Sequence, residues 1–270
     1  MEDEVRTVRE YYNNEVQNEW ERLEKHFIEF ELTKRFLNRY IKPGDRVLDV
    51  GGGPGRYSLY LAQKGCDVTL ADLSEENVRF AQEKAKEEGV CIKAHQCDAR
   101  EIDSIVDGLF DSILLMGPMY HLLEEADRVK CVEACLKLLK PGGVIFISFI
   151  SSYAGIIYSM KYEPEMILVP ELEYQYQLFA EDKPFAGNAF TKAYFIRHAD
   201  VLPFMEQFGL EKLHLFGQES ILAPNEPNIQ AQPKEVIDKW LDIAERVCER
   251  EDLLSYSEHL MYIGRKRDTV

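Results

Sequence analysis

The residues with the clearest chemical meaning form a glycine-rich turn, Asp49-Val50-Gly51-Gly52-Gly53-Pro54-Gly55-Arg56, between an apolar run and a helical pattern. Glycine adopts positive φ angles and has no Cβ, so this backbone can turn sharply and approach a ligand closely. The helix that follows would offer unpaired N–H groups to the same ligand. The turn therefore predicts a ligand cradle, whose members we expect to be Asp49, Gly51, Gly52, Gly53, Gly55, Arg56 and Tyr57.

The spacing of the glycines distinguishes two classes of nucleotide ligand. A dinucleotide fingerprint, GxGxxG/A, requires a small third residue for close helix packing. Here the residue three positions after Gly53 is Arg56, and the glycines spell GxGxG instead. This difference argues against NAD.

A second acidic residue, Asp72, follows the next apolar run about 20 residues further along, where a carboxylate can accept hydrogen bonds from ribose hydroxyls. An aspartate at the end of a strand is also often a solvated residue or a helix cap. Its position directly after the VTLA segment favours the ribose interpretation.

Alternating strand and helix patterns must position these residues. They predict right-handed βαβ units and a mostly parallel sheet between about residues 20 and 150. Strands are expected at 46–50, 67–71, 92–96, 110–115 and 144–150, and helices at 18–40, 56–64, 75–88 and 124–139. Further along the chain, helices are expected at 199–209 and 234–250, and strands at 211–216 and 259–265.

Composition restricts the class of protein. A chain of 270 residues with 46% hydrophobic content suits one main α/β domain. Its net charge of −16, with no long basic run, argues against nucleic acid as a partner. The sequence shows no signal peptide and no apolar stretch of about 18 residues, so we expect a cytoplasmic protein without a membrane partner. The six cysteines contain no CxxC pair, so no metal site is expected.

Five segments in order resemble the successive motifs of class I S-adenosylmethionine (SAM)-dependent methyltransferases: VLDVGGGPGRYS, DLS, CDA, FDSILLMGPMYHL and LLKPGGVIFIS, over about residues 46–148. The resemblance implies SAM as the cofactor and S-adenosylhomocysteine (SAH) as its product. It also implies an α/β fold with a Rossmann-like, doubly wound, seven-stranded sheet that is mostly parallel. The HLMYIGRK segment would be its antiparallel strand.

The same resemblance assigns expected roles to individual residues. The glycine loop would hold the methionine end of the cofactor, and Asp72 with Leu73 the ribose. Adenine would lie beside Asp98, Ala99 and Arg100, although Asp98 also suits the start of a short helix. The sulfonium would lie beside Met116, Gly117 and Tyr120, although Met116 and Tyr120 are equally suited to ordinary packing.

His121 is the candidate catalytic residue. Its unperturbed pKa is about 6.5, so beside the methyl donor it could take a proton from a hydroxyl or amine acceptor. The alternative is a histidine that hydrogen-bonds to nearby backbone and orders the loop after the fourth strand. Loss of SAM affinity on substitution would favour the second role.

Two flanking regions are expected to select the acceptor. Residues 1–40, which contain Tyr11-Tyr12, resemble the opening of a bacterial methyltransferase group and predict an N-terminal helical lid, or else a helix that only covers the sheet edge. Residues 41–270 would form the methyltransferase domain, with an acceptor-cap insertion at about 151–198. The many aromatic residues of that insertion predict an apolar pocket wall, although a dimer interface would use the same residue types.

The predicted reaction is in-line transfer of a methyl group from SAM to a small-molecule acceptor, by a monomer or a homodimer. A catalytically silent SAM-binding partner would keep every cofactor motif and lack a competent acceptor pocket. A NAD-dependent oxidoreductase is the less favoured alternative because of Arg56.

Overall fold

The first strand and the helix after it show how local sequence builds this molecule. Strand β1 (Arg46–Val50) is almost entirely buried, and its successive residues Val47 and Leu48 enter hydrophobic cores on opposite faces of the sheet. Helix α4 (Arg56–Gln63) begins directly after Gly55, whose φ of +93° is a left-handed conformation. The glycine loop is therefore held between a buried strand and a helix start, as the sequence predicts.

The computed structural model describes residues 2–268, so residues 1, 269 and 270 of the predicted domains lie outside it. The other strands are β2 (Asp67–Asp72), β3 (Ile92–Gln96), β4 (Phe110–Leu115), β5 (Leu139–Ser151), β6 (Phe185–Asn188), β7 (Lys192–Ile196), β8 (Glu211–Gly217) and β9 (His259–Arg265). The other helices are α1 (Glu2–Asn14), α2 (Val16–Lys25), α3 (Phe27–Tyr40), α5 (Glu75–Glu87), α6 (Ile102–Ile105), α7 (Glu125–Leu138), α8 (Ala154–Tyr162), α9 (Glu173–Ala180), α10 (His198–Glu206), α11 (Glu226–Gln230) and α12 (Lys234–Val247).

The predicted seven-stranded sheet is present, with strand order β3-β2-β1-β4-β5-β9-β8. Strand β9 runs antiparallel to both β5 and β8, and the pairs among β1 to β5 are parallel. Within residues 2–268 the sheet has nine strands rather than seven, because β6 and β7 form a hairpin that joins the end of β5 at Ile150 and Ser151. The mostly parallel α/β fold is confirmed.

Two local predictions differ from the structure. The helix expected over 18–40 is broken at His26, where the Glu226 carboxylate accepts a hydrogen bond from Ile28 N at 3.0 Å and so caps the start of α3. Strand β5 begins at Leu139 rather than at residue 144, because the segment Lys140-Pro141-Gly142-Gly143 belongs to the strand. The pairing of β5 with β4 shifts its register at this segment. Among residues 2–268, no helix is both long and apolar enough to cross a membrane.

Candidate active site

A cleft opens at the carboxyl ends of β1, β2 and β4, where the strand order reverses and where doubly wound sheets bind their ligands. It brings together nearly all the residues selected from sequence: Asp49, Gly51, Gly52, Gly53, Arg56, Tyr57, Asp72, Leu73, Asp98, Ala99, Arg100, Met116, Gly117, Tyr120 and His121. Gly55 lies behind the loop instead, where a Cβ would contact Ala81 of α5 at 3.0 Å.

The glycine loop needs glycine for two reasons. Gly51, Gly53 and Gly55 have φ angles of +70°, +55° and +93°, which other residues rarely adopt. A Cβ on Gly51 would lie 2.4 Å from Pro118 Cδ, and one on Gly117 would lie 2.7 Å from Gly51 O. The loops after β1 and β4 therefore touch through backbone, which allows both to approach one ligand.

Asp72 lies at the end of β2, and protein donors already hold it. Its Oδ2 accepts from Gly53 N at 2.8 Å, and its Oδ1 accepts from Ser74 N at 2.8 Å and Asn77 Nδ2 at 3.2 Å. A carboxylate has roughly four acceptor positions, so one remains for a ligand hydroxyl. Asp72 thus also orders the glycine loop and the start of α5, where Ser74 is the N-cap.

Asp49 lies beneath the same loop, with 2% of its surface exposed. Its Oδ2 accepts a hydrogen bond from Ser58 Oγ at 2.7 Å. Burial raises the pKa of Asp49 to about 7 against the opposing effect of that hydrogen bond. Its protonation state will therefore respond to a charge placed in the cleft.

Asp98 plays the structural role considered for it, because its Oδ1 accepts from Arg100 N at 2.9 Å and caps the short helical turn after β3. The Arg100 guanidinium also contacts both Asp98 oxygens and Asp127 Oδ2 at 2.8 Å. One acceptor position of Oδ2 remains, which suits an exocyclic amino group.

One buried polar atom of the cleft wall, Asn77 Oδ1, makes no hydrogen bond to any residue in the described part of the chain. Buried polar groups without partners are costly, so this oxygen suits a polar ligand. The buried Tyr57 hydroxyl of the same wall interacts with Thr33. Together with the glycine cradle and the two carboxylates, Asn77 fits a nucleoside that carries an amino acid group, as SAM does.

His121 lies in the loop after β4 with both ring nitrogens engaged. Nδ1 is 2.9 Å from the backbone oxygen of Lys192, and Nε2 is 2.7 Å from Tyr12 Oη of helix α1. Burial lowers the pKa of His121 to about 4, while the hydrogen bond to Lys192 opposes this shift. Tyr120 beside it donates from Oη to Met116 O at 3.0 Å.

Helices α1 to α3 supply a wall of the cleft that motif spacing did not identify. Arg22 forms two hydrogen bonds to Glu29, at 2.8 and 3.2 Å, and lies 3.5 Å from Glu19. All three residues line the cleft. Arg56 also touches this wall, since its guanidinium lies 4.0 Å from the Trp20 ring centre and its Nε donates to Trp20 O. The resemblance of residues 1–40 to a methyltransferase lid was the signal in the sequence for this wall, but it gave no role to Glu29.

A buried charge network continues behind this wall. Burial would raise the pKa of Glu29, but Arg22 and His259 lower it to about 2. Burial would lower the pKa of His259, but Glu29 and Glu219 raise it to about 9. His259 Nδ1 lies 2.7 Å from Glu219 and 3.8 Å from Glu29, so the imidazolium faces both carboxylates.

Lys161 of α8 forms the second part of this network. Its ammonium contacts Glu226 at 3.1 Å and also Glu258, and all three side chains are almost completely buried. His26 lies 3.6 Å from Glu226. Two groups have the residue types and spacing of metal ligands: Glu29 with Glu219 and His259, and His26 with Glu226 and Glu258. In each group, a protein cation already lies against the carboxylates.

The aromatic insertion does not form the wall expected of it. Within residues 2–268, the cleft is lined by residues up to Asp127 and by none from 151–198. Phe179, Phe185 and Phe195 instead pack on one another in a small core beside Tyr120. These three rings bury one another, whereas Phe190 of the same insertion packs against Tyr11 and His121, with ring centres 6.2 and 5.8 Å apart.

Comparisons with known proteins identify the family of this chain. A family model described as "Methyltransferase domain" matches residues 47–143. The ubiquinone biosynthesis O-methyltransferase of Paraburkholderia phymatum is 32% identical over 176 residues, covering 62% of this chain and 73% of that protein. The protein of the same name from Bordetella avium is 32% identical over 150 residues, and the match covers 54% of this chain and 60% of the relative.

One solved structure shows the shared fold. The 1,6-didemethyltoxoflavin-N1-methyltransferase of Burkholderia thailandensis, solved with bound 1,6-didemethyltoxoflavin and SAH, superposes with a TM-score of 0.63 at 16% sequence identity. The match covers 99% of this chain and 90% of that structure. With its glycine cradle, its carboxylates at the strand ends and these relatives, the chain belongs to the class I SAM-dependent methyltransferases, and SAM is its cofactor.

Proposed function

We propose that this protein transfers the methyl group of SAM to a small-molecule acceptor that enters beneath helices α1 and α2. One observation carries the proposal: the cleft that holds the cofactor motifs continues under these helices to Tyr12, Glu19 and Arg22. In this proposal helices α1 and α2 act as a lid over the cleft. The net charge of −16 supports a small acceptor over a nucleic acid.

Each part of the cleft has a role toward the cofactor in this proposal. The glycine loop, Asp49 and Tyr57 hold its methionine end. Asp72 and Asn77 hold the ribose, and Asp98 receives the adenine amino group. When bound, SAM supplies a methyl group on a positively charged sulfonium, which the acceptor atom attacks in line with the breaking bond.

The chain contributes position and enclosure rather than a covalent intermediate. Val8 and Tyr12 of α1 cover the cleft and exclude water, while Met116 and Tyr120 pack beside it. Alignment of well-oriented reactants can supply about 7–11 kcal/mol of the barrier reduction. The relatives named as O-methyltransferases support a hydroxyl group as the acceptor. A silent SAM-binding partner would need a blocked space beneath the lid.

SAH binding tests the cofactor assignment directly. A ligand that binds only the native state at 100 times its Kd stabilises the protein by about 2.7 kcal/mol, so SAH should raise the melting temperature. NADH should leave it unchanged, because Arg56 occupies the position where a dinucleotide site needs a small residue. Stabilisation by NADH alone would contradict the assignment. Labelled SAM incubated with a small-molecule extract then tests methyl transfer.

Cofactor binding should also depend on pH through Asp49. Below its pKa of about 7 the free protein holds this carboxyl protonated, and a bound ammonium group favours the ionised form. Binding then releases a proton, so SAH affinity should rise by up to about tenfold from pH 6 to 7 and level off above 7. Calorimetry in buffers of different ionisation enthalpy measures that proton. Asp49→Asn should bind without pH dependence; an unchanged slope in this variant would assign the proton elsewhere.

A further inference from the structure

Tyr12 and His121 meet across the cleft although 109 positions separate them in the sequence. Tyr12 Oη lies 2.7 Å from His121 Nε2. Both side chains line the cleft, between the lid helix α1 and the loop after β4. The contact joins the lid helix to the loop that carries the candidate catalytic histidine.

The direction of the hydrogen bond follows from the opposite side of the imidazole ring. The backbone oxygen of Lys192, 2.9 Å from Nδ1, can only accept, so Nδ1 carries the proton. A neutral imidazole then has an unprotonated Nε2, which accepts from the Tyr12 hydroxyl. Burial also raises the pKa of Tyr12 well above 10, so the hydroxyl keeps its proton at neutral pH.

We propose that Tyr12 is a further catalytic residue, whose hydroxyl oxygen takes the proton of the methyl acceptor as its own proton passes to His121 Nε2. The proposal rests on the proposed function. It gives His121 the proton-accepting role considered from sequence, but at one step removed from the acceptor, because Tyr12 covers Nε2. The hydroxyl oxygen donates one hydrogen bond and keeps its capacity to accept another.

The step balances in atoms and charge. The acceptor atom forms a bond to the methyl carbon, and the carbon–sulfur bond breaks with its electron pair going to sulfur. The acceptor's proton moves to Tyr12 Oη, and the proton of Tyr12 moves to His121 Nε2. The positive charge lost at sulfur reappears on the imidazolium, which keeps its Nδ1–H bond to Lys192.

The surroundings let the relay reset. With a pKa of about 4, the His121 imidazolium gives its proton to water once the cleft opens. The groups that influence Tyr12 electrostatically are Glu19 and Arg22 of α2, Tyr11 of its own helix and Tyr120 of the loop after β4. The effect of Arg22 opposes that of Glu19, and burial is the main influence on the hydroxyl.

The first test requires no acceptor. Nitrogen-15 NMR of histidine-labelled protein with SAH should show His121 neutral, with Nδ1 protonated and Nε2 unprotonated, at neutral pH. Tyr12→Phe should shift the Nε2 resonance. The control is Tyr40→Phe, which removes a matched tyrosine–histidine contact of 2.5 Å, to His214, outside the cleft. A proton on His121 Nε2 would overturn the relay.

The second test measures single-turnover methyl transfer from labelled SAM to the small-molecule fraction of a cell extract. Tyr12→Phe and His121→Gln should each lower the rate by about 10²-fold or more, as for loss of acid–base catalysis, with SAH affinity unchanged. Tyr40→Phe should match wild type. If Tyr12→Phe transferred methyl groups as fast as the wild-type protein, the relay would be overturned and the proposed function would stand. If the wild-type protein bound no SAH, the proposed function itself would be overturned.

Discussion

Replacing Lys161 with methionine should lower the free energy of unfolding by about 3–5 kcal/mol at neutral pH. The ammonium lies between Glu226 and Glu258, and no part of these side chains beyond 4% of Glu258 reaches solvent. Without the ammonium, two buried carboxylates remain close together with no opposing charge from that side. Urea denaturation of wild type and variant measures the difference.

The loss should shrink at mildly acidic pH. Burial already raises the pKa of Glu258 while Lys161 opposes the shift, and removing Lys161 raises it further. A carboxyl whose folded pKa is raised stabilises the fold at low pH and loses that contribution as pH rises through the folded pKa. The variant should therefore recover stability relative to wild type as the pH falls toward 5.

Two companion variants make this result specific. Lys234→Met removes an exposed pair with Asp238 and should cost less than about 1 kcal/mol. Adding Glu258→Gln to Lys161→Met should restore part of the stability, because one uncompensated charge is gone. If Lys161→Met were as stable as wild type at neutral pH, the network would contribute nothing to the fold.

Replacing Gly51 with alanine should lower stability by about 2–5 kcal/mol and weaken SAH binding. The φ of +70° costs an L residue about 1–2 kcal/mol, and the new Cβ, 2.4 Å from Pro118 Cδ, adds about 1–3 kcal/mol of overpacking. Because Pro118 belongs to the loop after β4, the strain should separate the two loops that hold the ligand. Calorimetry and thermal unfolding measure both effects.

Gly44 supplies the matched control. Its φ is +90°, and a Cβ there would meet nothing within 4 Å. Gly44→Ala should therefore cost only the backbone strain of about 1–2 kcal/mol and leave SAH affinity unchanged. Equal losses in the two variants would show that the contact with Pro118 does not matter.

Much of the fold and half of the cleft could be predicted from the sequence, because they depend on local physics. Apolar periodicity, with glycine or proline residues that end each element, predicted strands such as Phe110–Leu115 and His259–Arg265 at their observed bounds. The glycines at 51, 53 and 55 indicated a backbone with positive φ angles, because few other residues adopt such angles. The order of motifs along the chain then placed Asp72 and Asp98 at strand ends.

Contacts between distant segments were decided only by the tertiary structure. No local pattern pairs Tyr12 with His121, or Lys161 with Glu226 and Glu258, since a side chain's partner depends on how helices pack and not on its neighbours in sequence. The break at His26 likewise depends on a carboxylate about 200 residues away. The aromatic composition of 151–198 predicted burial, but hydrophobic burial has no direction. Only packing determined that Phe179, Phe185 and Phe195 cover one another while Tyr174 and Phe190 stay exposed, and that α1, α2 and α3 line the cleft.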